Sequence, residues 1–463
     1  MKMRKLTLAI FAPLLIAPAI AGVASHHAHH PDELSGGQTT VFVTNRNAFA
    51  SPVSNLPVPD LRTFASGNRL FNTNWVIAPA SVNKLDGLGP VFNRVSCSAC
   101  HLRDGRGQPP EGDDAPMMSM LVRLSVPGKD ERGSIKPHPA YGDQLNDRAI
   151  PGVPAEGRAV VKYEMVSGSF ADGSTYELAK PVYTFKDLAF GPLGADIQFS
   201  PRVASQMIGL GLLEAVPEKD IEALADEHDA DGDGISGKVN RVWDVMQQKK
   251  TLGRFGWKAN QPSLKQQNAG ALSGDIGITT SLFPKQNVTD AQKDAGKTIA
   301  GGEPELSDDD LSTLTFYTRV LGVPARRNVN DPIVRQGEKL FHDAGCAKCH
   351  TPTMQTGEYE IAALANQTIH PYSDLLLHDM GDDLADGRAD WDADGKEWRT
   401  PPLWGVGLFD VVNGHTRYLH DGRARTMMEA VMWHGGEGEA SREKVRKMDK
   451  ADREALIKFL ESL

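Results

Sequence analysis

Two short stretches carry the chemistry of this sequence: Cys97-Ser98-Ala99-Cys100-His101 and Cys346-Ala347-Lys348-Cys349-His350. Each reads C-x-x-C-H, the attachment signature of a c-type haem. The two cysteines form thioethers with the porphyrin vinyls, and the adjacent histidine offers the proximal nitrogen to iron. The chain has 4 cysteines, and these stretches use all of them. A zinc site would need both pairs to converge on one ion, and a thioredoxin-type disulfide does not ask for the following histidine. The residues therefore point to two haem c groups, held by Cys97, Cys100, Cys346 and Cys349, with His101 and His350 as axial ligands.

Haem iron has a second axial position, and what fills it decides between electron transfer and activation of a bound oxidant. In the second half, His378, Met380, His415, His420, Met427, Met428 and His434 are candidates, and residue type alone does not choose among them. Near the first attachment site the candidates are Gln108, Glu111 and His138, beside an open position.

Elements must position these groups. Phe64 to Phe71 reads as a helix ending in Gly67-Asn68-Arg69-Leu70-Phe71, echoed by Gly337-Glu338-Lys339-Leu340-Phe341 before the second site. Residues 306–321 and 448–463 align without gaps, pairing Asp310 with Asp452, Leu314 with Leu456, and Tyr317 with Phe459. Both have acidic starts followed by apolar stripes at helical spacing. The order of first helix, C-x-x-C-H and closing helix thus occurs twice. This predicts a mainly α fold of two cytochrome c-like haem domains, at 61–324 and 325–463. The first is enlarged by an insertion in which 119–135 and 157–190 read as β-strands. Residues 200–215 read as a buried helix, and 25–60 as a flexible lead-in.

At 463 residues, 40% hydrophobic and 24% charged, the chain has room for two to three globular domains. A net charge of −10 argues against nucleic acid as a partner. Lys2, Arg4 and Lys5 precede an apolar run with small residues near 19–24, as in a secretory signal peptide spanning 1–24. Pro13 and Pro18 interrupt a run already short for a membrane span, so no stable span is expected after its removal. The expected location is the periplasm.

The run Tyr418-Leu419-His420-Asp421-Gly422, continued by Met428 to His434, resembles the Y-x-H-D-G…T-L-E-E-A-V-x-x-M signature of bacterial di-haem cytochrome c peroxidases. Across the chain the sequence is similar to the di-haem oxidoreductase family, often labelled thiol oxidoreductases. The segments that carry this resemblance are 89–96, 253–259, 374–381 and 397–405. It implies that His434, standing where the signature has its distal methionine, is the second axial ligand opposite His350. It also implies an aromatic between the haems, with Trp257 and Trp404 as candidates. Asp229, Asp231, Asp233 and the Ile235 carbonyl begin a D-x-D-x-D-G loop suited to Ca²⁺, an ion that related di-haem peroxidases hold between their domains. Arg399, Arg423 and Arg425 are candidate partners for haem propionates. The implied function is a peroxidase-like oxidoreductase that passes electrons from a periplasmic donor through two haems to a small oxidant such as peroxide. The alternative is a non-enzymatic electron carrier with both irons six-coordinate, with metal uptake as the process it would serve.

Overall fold

In the computed structural model, residues 29–82, 84–112, 115–293 and 300–463 are described; the signal-peptide expectation at 1–24 lies outside them. The repeated helices form where the sequence places them. The first, α1 (Leu61–Asn72), crosses α2 (Asp308–Arg319); later, α3 (Pro332–Ala344) crosses α6 (Lys450–Ser462). Three of the four starts, all but that of α1, are capped by short polar side chains, which satisfy amides that lack an intrahelical acceptor. Ser307 accepts from the Asp310 amide, Asp331 from Ile333 and Asp449 from Asp452. Gly345, at φ 90°, ends α3 directly before Cys346.

Each crossing is made at a glycine. A Cβ on Gly67 would lie 2.6 Å from the Thr313 oxygen and 2.5 Å from the Tyr317 Cβ. On Gly337 it would lie 1.9 Å from the Ala455 oxygen and 2.8 Å from the Phe459 Cβ. Thr313 corresponds to Ala455 and Tyr317 to Phe459, so the two helix pairs meet at equivalent points.

Between the first attachment site and α2 lies the insertion. Strand β1 (Met120–Lys129) pairs antiparallel with β4 (Gln198–Val203), from Met120↔Val203 to Ser125↔Gln198. Strands β2 (Arg158–Ser169) and β3 (Thr175–Lys186) form a long hairpin that pairs only with itself. Its tip reaches the C-terminal helices, where the Ala171 amide donates to the Arg446 oxygen and Arg453 pairs with Asp172 at 2.7 Å. Two short helices complete the second site, α4 (Met427–Met432) and α5 (Glu439–Lys447).

Three expectations are corrected. Helix makes up 29% of the structure and strand 19%, spread over several small sheets, so the fold is mixed rather than mainly α. The insertion supplies the largest pairings, and much of the remaining chain is short turns between the repeated helices. Residues 200–215 are not one helix: 198–203 form β4, and only Leu210–Glu214 is helical. The carbonyls of Val203 and Ser205 are used outward, accepting from side chains of Trp257 and His101, which a continuous helix would not allow. The described part of the lead-in is packed: Ala48 and Phe49 are 0% exposed, and the Val53 amide donates to the Val320 oxygen. Among the described residues, no helix is long and apolar enough to cross a membrane.

Candidate functional site

The cysteines of each pair occupy a single turn following the repeated first helix, and none is in a disulfide. Burial pushes the thiols of Cys97, Cys100 and Cys346 up to about 12, and raises that of Cys349. They are neutral thiols in apolar surroundings, unlike the depressed thiols of redox-active cysteines.

The proximal histidines are built alike. His101 Nδ1 lies 2.7 Å from the Ser205 carbonyl oxygen, and His350 Nδ1 lies 3.0 Å from that of Tyr372. A carbonyl only accepts, so Nδ1 carries the hydrogen and Nε2 keeps its lone pair, the arrangement that orients a metal-ligating imidazole. Phe71 stands 6.1 Å from His101 and 5.4 Å from Tyr317, between centroids; Phe341 stands 6.2 Å from His350 and 5.2 Å from Phe459. Burial, followed by the neighbouring His434, lowers His350 to about 4; burial likewise lowers His101 and His434. All three are neutral near pH 7, the form that binds metal.

His434 lies just past α4, and its Nδ1 donates to the Ala430 oxygen at 2.8 Å, leaving Nε2 free as well. Its ring centroid is 6.5 Å from that of His350, with an interplanar angle of 50°. Two metal–imidazole bonds of about 2 Å, with about 1.1 Å from each nitrogen to its ring centre, span about 6.2 Å. The two rings are therefore spaced for one metal ion between them. Among the candidate histidines, His434 is the one whose ring pairs with that of His350; Met380 and Met427 line the same cavity. His378 is held by Asp374 (2.8 Å) and Glu437 (2.6 Å). Although burial opposes its charge, hydrogen bonds to Asp374, Cys349 and Glu437 push it up to about 12, making it a clamped imidazolium beside Cys349. His415 Nε2 meets the Arg106 oxygen at 3.1 Å, while His420 stacks on Trp398 at 3.7 Å.

A largely apolar cavity of about 200 Å³ opens between Cys346, Cys349, His350 and His434. Two buried guanidiniums line it, Arg106 and Arg399, 5% and 8% exposed. Arg106 donates to the Arg417 and Leu419 oxygens, and Arg399 to those of Gly256 and Thr400. Neither forms an ion pair with a carboxylate among the described residues, and burial brings both down to about 10. Two buried cations without counter-ions in an apolar cavity are costly unless an anion enters. A porphyrin, apolar in body and bearing two carboxylates, fits that requirement together with the cysteines and the paired imidazoles. Of the other arginines considered, Arg423 is paired with Asp421 and Arg425 with Glu429. Sequence reading missed Arg106; its position five residues after His101 was the available signal.

The first site has a different surround. Among the described residues, the ring contact of His101 is with Phe71, and no second imidazole faces it. His138 is tied to its own turn, accepting from the Ala140 amide and meeting the Leu193 oxygen at 3.1 Å. Glu111 is exposed and paired with Arg417, and the Gln108 amide is bound to Ser119.

Trp257 lines the cavity and donates to the Val203 oxygen at 2.9 Å, two residues before the carbonyl that holds His101. The Arg106 guanidinium stands 5.0 Å from its ring centre. Trp404 is elsewhere, buried in the core against Gly209. In the acidic loop, Asp229 and Asp231 gather with Asp226, whereas Asp233 pairs with Lys348 at 2.7 Å and Ile235 lines the cavity. The sequence pattern thus named two of the three clustered carboxylates.

A family model described as "Di-haem oxidoreductase, putative peroxidase" matches residues 29–463. No curated protein matches the chain. Among solved structures, hydrazine synthase of Kuenenia stuttgartiensis, pressurized with 20 bar xenon, is similar over 98% of this chain and 100% of that one, at 13% identity and a TM-score of 0.30.

Proposed function

The chain belongs to the di-haem oxidoreductase family, and on that premise we propose that it is an exported, peroxidase-like c-type cytochrome with two covalent haems. It passes electrons from a periplasmic donor to a small oxidant such as hydrogen peroxide. The observation that carries this reading is the asymmetry of the two sites: His350 faces His434 at 6.5 Å, whereas His101 faces no second imidazole among the described residues.

Bound haem supplies a one-electron couple and, where an axial position is open, a place to activate peroxide. The protein's own groups divide that labour. Cys346 and Cys349 would hold one haem and Cys97 and Cys100 the other. His350 and His434 would hold the iron of the second haem from opposite sides, which would suit that haem to electron transfer. The Ser205 carbonyl orients His101 as the ligand of the first haem, and with no second imidazole facing it among the described residues that haem would be the one to bind the oxidant. Gln206 lines the second cavity while Ser205 anchors His101, so one short segment walls both sites. Trp257 is the aromatic we place between them, and Ca²⁺ is the cation that Asp226, Asp229 and Asp231 suit by their hard oxygen donors.

Low-temperature EPR of the oxidised, haem-loaded protein tests the reading. The expected spectrum holds one low-spin ferric signal that His434→Gly abolishes, and one high-spin signal that shifts with cyanide. Two low-spin signals that ignore cyanide in every redox state would exclude the peroxidase and leave an electron carrier.

A further inference from the structure

The loop that follows the first attachment motif does not stay with the first site. Gly105 lies directly against the Asn413 side chain: an added Cβ would sit 2.1 Å from its Nδ2. The Arg106 amide donates to Asn413 Oδ1 at 3.0 Å, and the Arg106 oxygen meets His415 Nε2 at 3.1 Å. These contacts fix the backbone and send the Arg106 side chain into the cavity that contains Cys346 and His350. There its Nε donates to the Arg417 oxygen at 2.7 Å, its Nη2 to the Leu419 oxygen, and its plane stands over Trp257 and Phe409 at 5.0 and 5.6 Å. Nη1 has no protein acceptor among the described residues.

A guanidinium this buried, held by carbonyls and rings and without a carboxylate partner, is a half-made anion site. Arg399 lies in the same cavity in the same state. We propose that Arg106, supplied by the first attachment segment, binds a propionate carboxylate of the haem in the second cavity, with Arg399 on the other. It thereby raises the reduction potential of that haem and ties it to the first site.

The proposal rests on the reading above that a haem occupies the second cavity. Its role is positioning and electrostatic, since the guanidinium acts on the haem periphery and not on iron. Positive charge beside a haem favours the reduced state, because reduction adds an electron. Charge and bidentate geometry can be separated: Arg106→Gln removes both, and Arg106→Lys keeps the charge.

The test is spectroelectrochemical titration of the holoprotein and both variants, with haem content by mass spectrometry and EPR of the His350/His434 signal. Arg106→Gln is expected to keep both haems and the low-spin signal. It should shift the reduced-to-oxidised ratio of the second haem about tenfold toward oxidised at fixed potential, equivalent to about 59 mV. Arg106→Lys should reverse most of that shift. A haem at Cys346 and Cys349 whose potential ignores Arg106→Gln overturns this proposal alone. An unchanged potential with weaker binding of a carboxylate probe, acetate, overturns it in favour of a site for free anions. Wild-type protein with no haem at Cys346 and Cys349 overturns the parent reading as well.

Discussion

The two attachment regions share everything on one side of the proximal histidine and little on the other. Behind His101 and His350 stand the same glycine crossing, the same phenylalanine and the same closing-helix aromatic, with centroid distances that agree within 0.2 Å (6.1 and 6.2 Å; 5.4 and 5.2 Å). In front, the second region has His434 and an apolar cavity with two arginines. The first has a β insertion and no facing imidazole among the described residues. The difference teaches that holding a proximal imidazole is a repeated task, met each time by two crossed helices, one turn and one accepting carbonyl. Choosing the opposite ligand is a task for the rest of the fold, and there the regions part.

Removing one site tests that comparison most severely. Cys346→Ser combined with Cys349→Ser should leave a protein with one haem in place of two, counted by mass spectrometry, with the high-spin signal of the first site intact. Loss of both haems would mean that the regions are not separate in construction.

Next in size is the effect of filling the crossings. Gly337→Ala drives a Cβ against a backbone oxygen at 1.9 Å, where no side chain can yield, and should cost about 3 kcal/mol or more. Gly67→Ala, with its nearest atoms at 2.5 and 2.6 Å, should cost about 2 kcal/mol. Thermal melts of the two variants would rank them, and a reversed order would show that the crossings are not equivalent.

The smallest effect belongs to the insertion, which the second region lacks. Burial pushes the Glu156 carboxyl up to about 8, even though it accepts from the Asn146 amide and Gln292. Its folded value lies above its unfolded one. The stability it contributes is therefore full below about 4.5 and lost as pH rises through about 8. Urea unfolding should show wild type gaining more stability than Glu156→Gln on going from pH 8 to pH 7, by on the order of 1 kcal/mol. Parallel pH profiles would remove this carboxyl from the account.

What the sequence made legible follows from distance along the chain. The cysteines and proximal histidines are neighbours, so spacing alone displayed them, and the helix pairs showed through caps and apolar stripes in Asp310, Leu314 and their counterparts. His434 needed a resemblance, since nothing in its local sequence sets it apart from His378 or His420. Arg106 escaped because its cavity partners, Arg399 and Leu419, lie roughly 300 positions away. The carbonyls of Ser205, Tyr372 and Ala430 escaped because backbone groups have no letter. Residues 200–215 misled because an apolar run beginning Ser200-Pro201 imitates a helix start, while its carbonyls serve a tryptophan and a histidine elsewhere. The fold class misled because the repeated helices dominate the pattern but not the residue count.

The β2–β3 hairpin has a consequence for the order in which the molecule assembles. Its strands are joined by a five-residue tip and can zip together in microseconds. Its anchor, the ion pair of Asp172 with Arg453, closes a loop of 281 residues. Such closures are slow because chain entropy is surrendered before any contact rewards it. During folding the ribbon therefore exists for a time as a loose arm, with Met165, Val166 and Val182 exposed even in the finished structure. An arm of that kind invites pairing with other chains, so yield on refolding should fall with protein concentration until the tip finds Arg453.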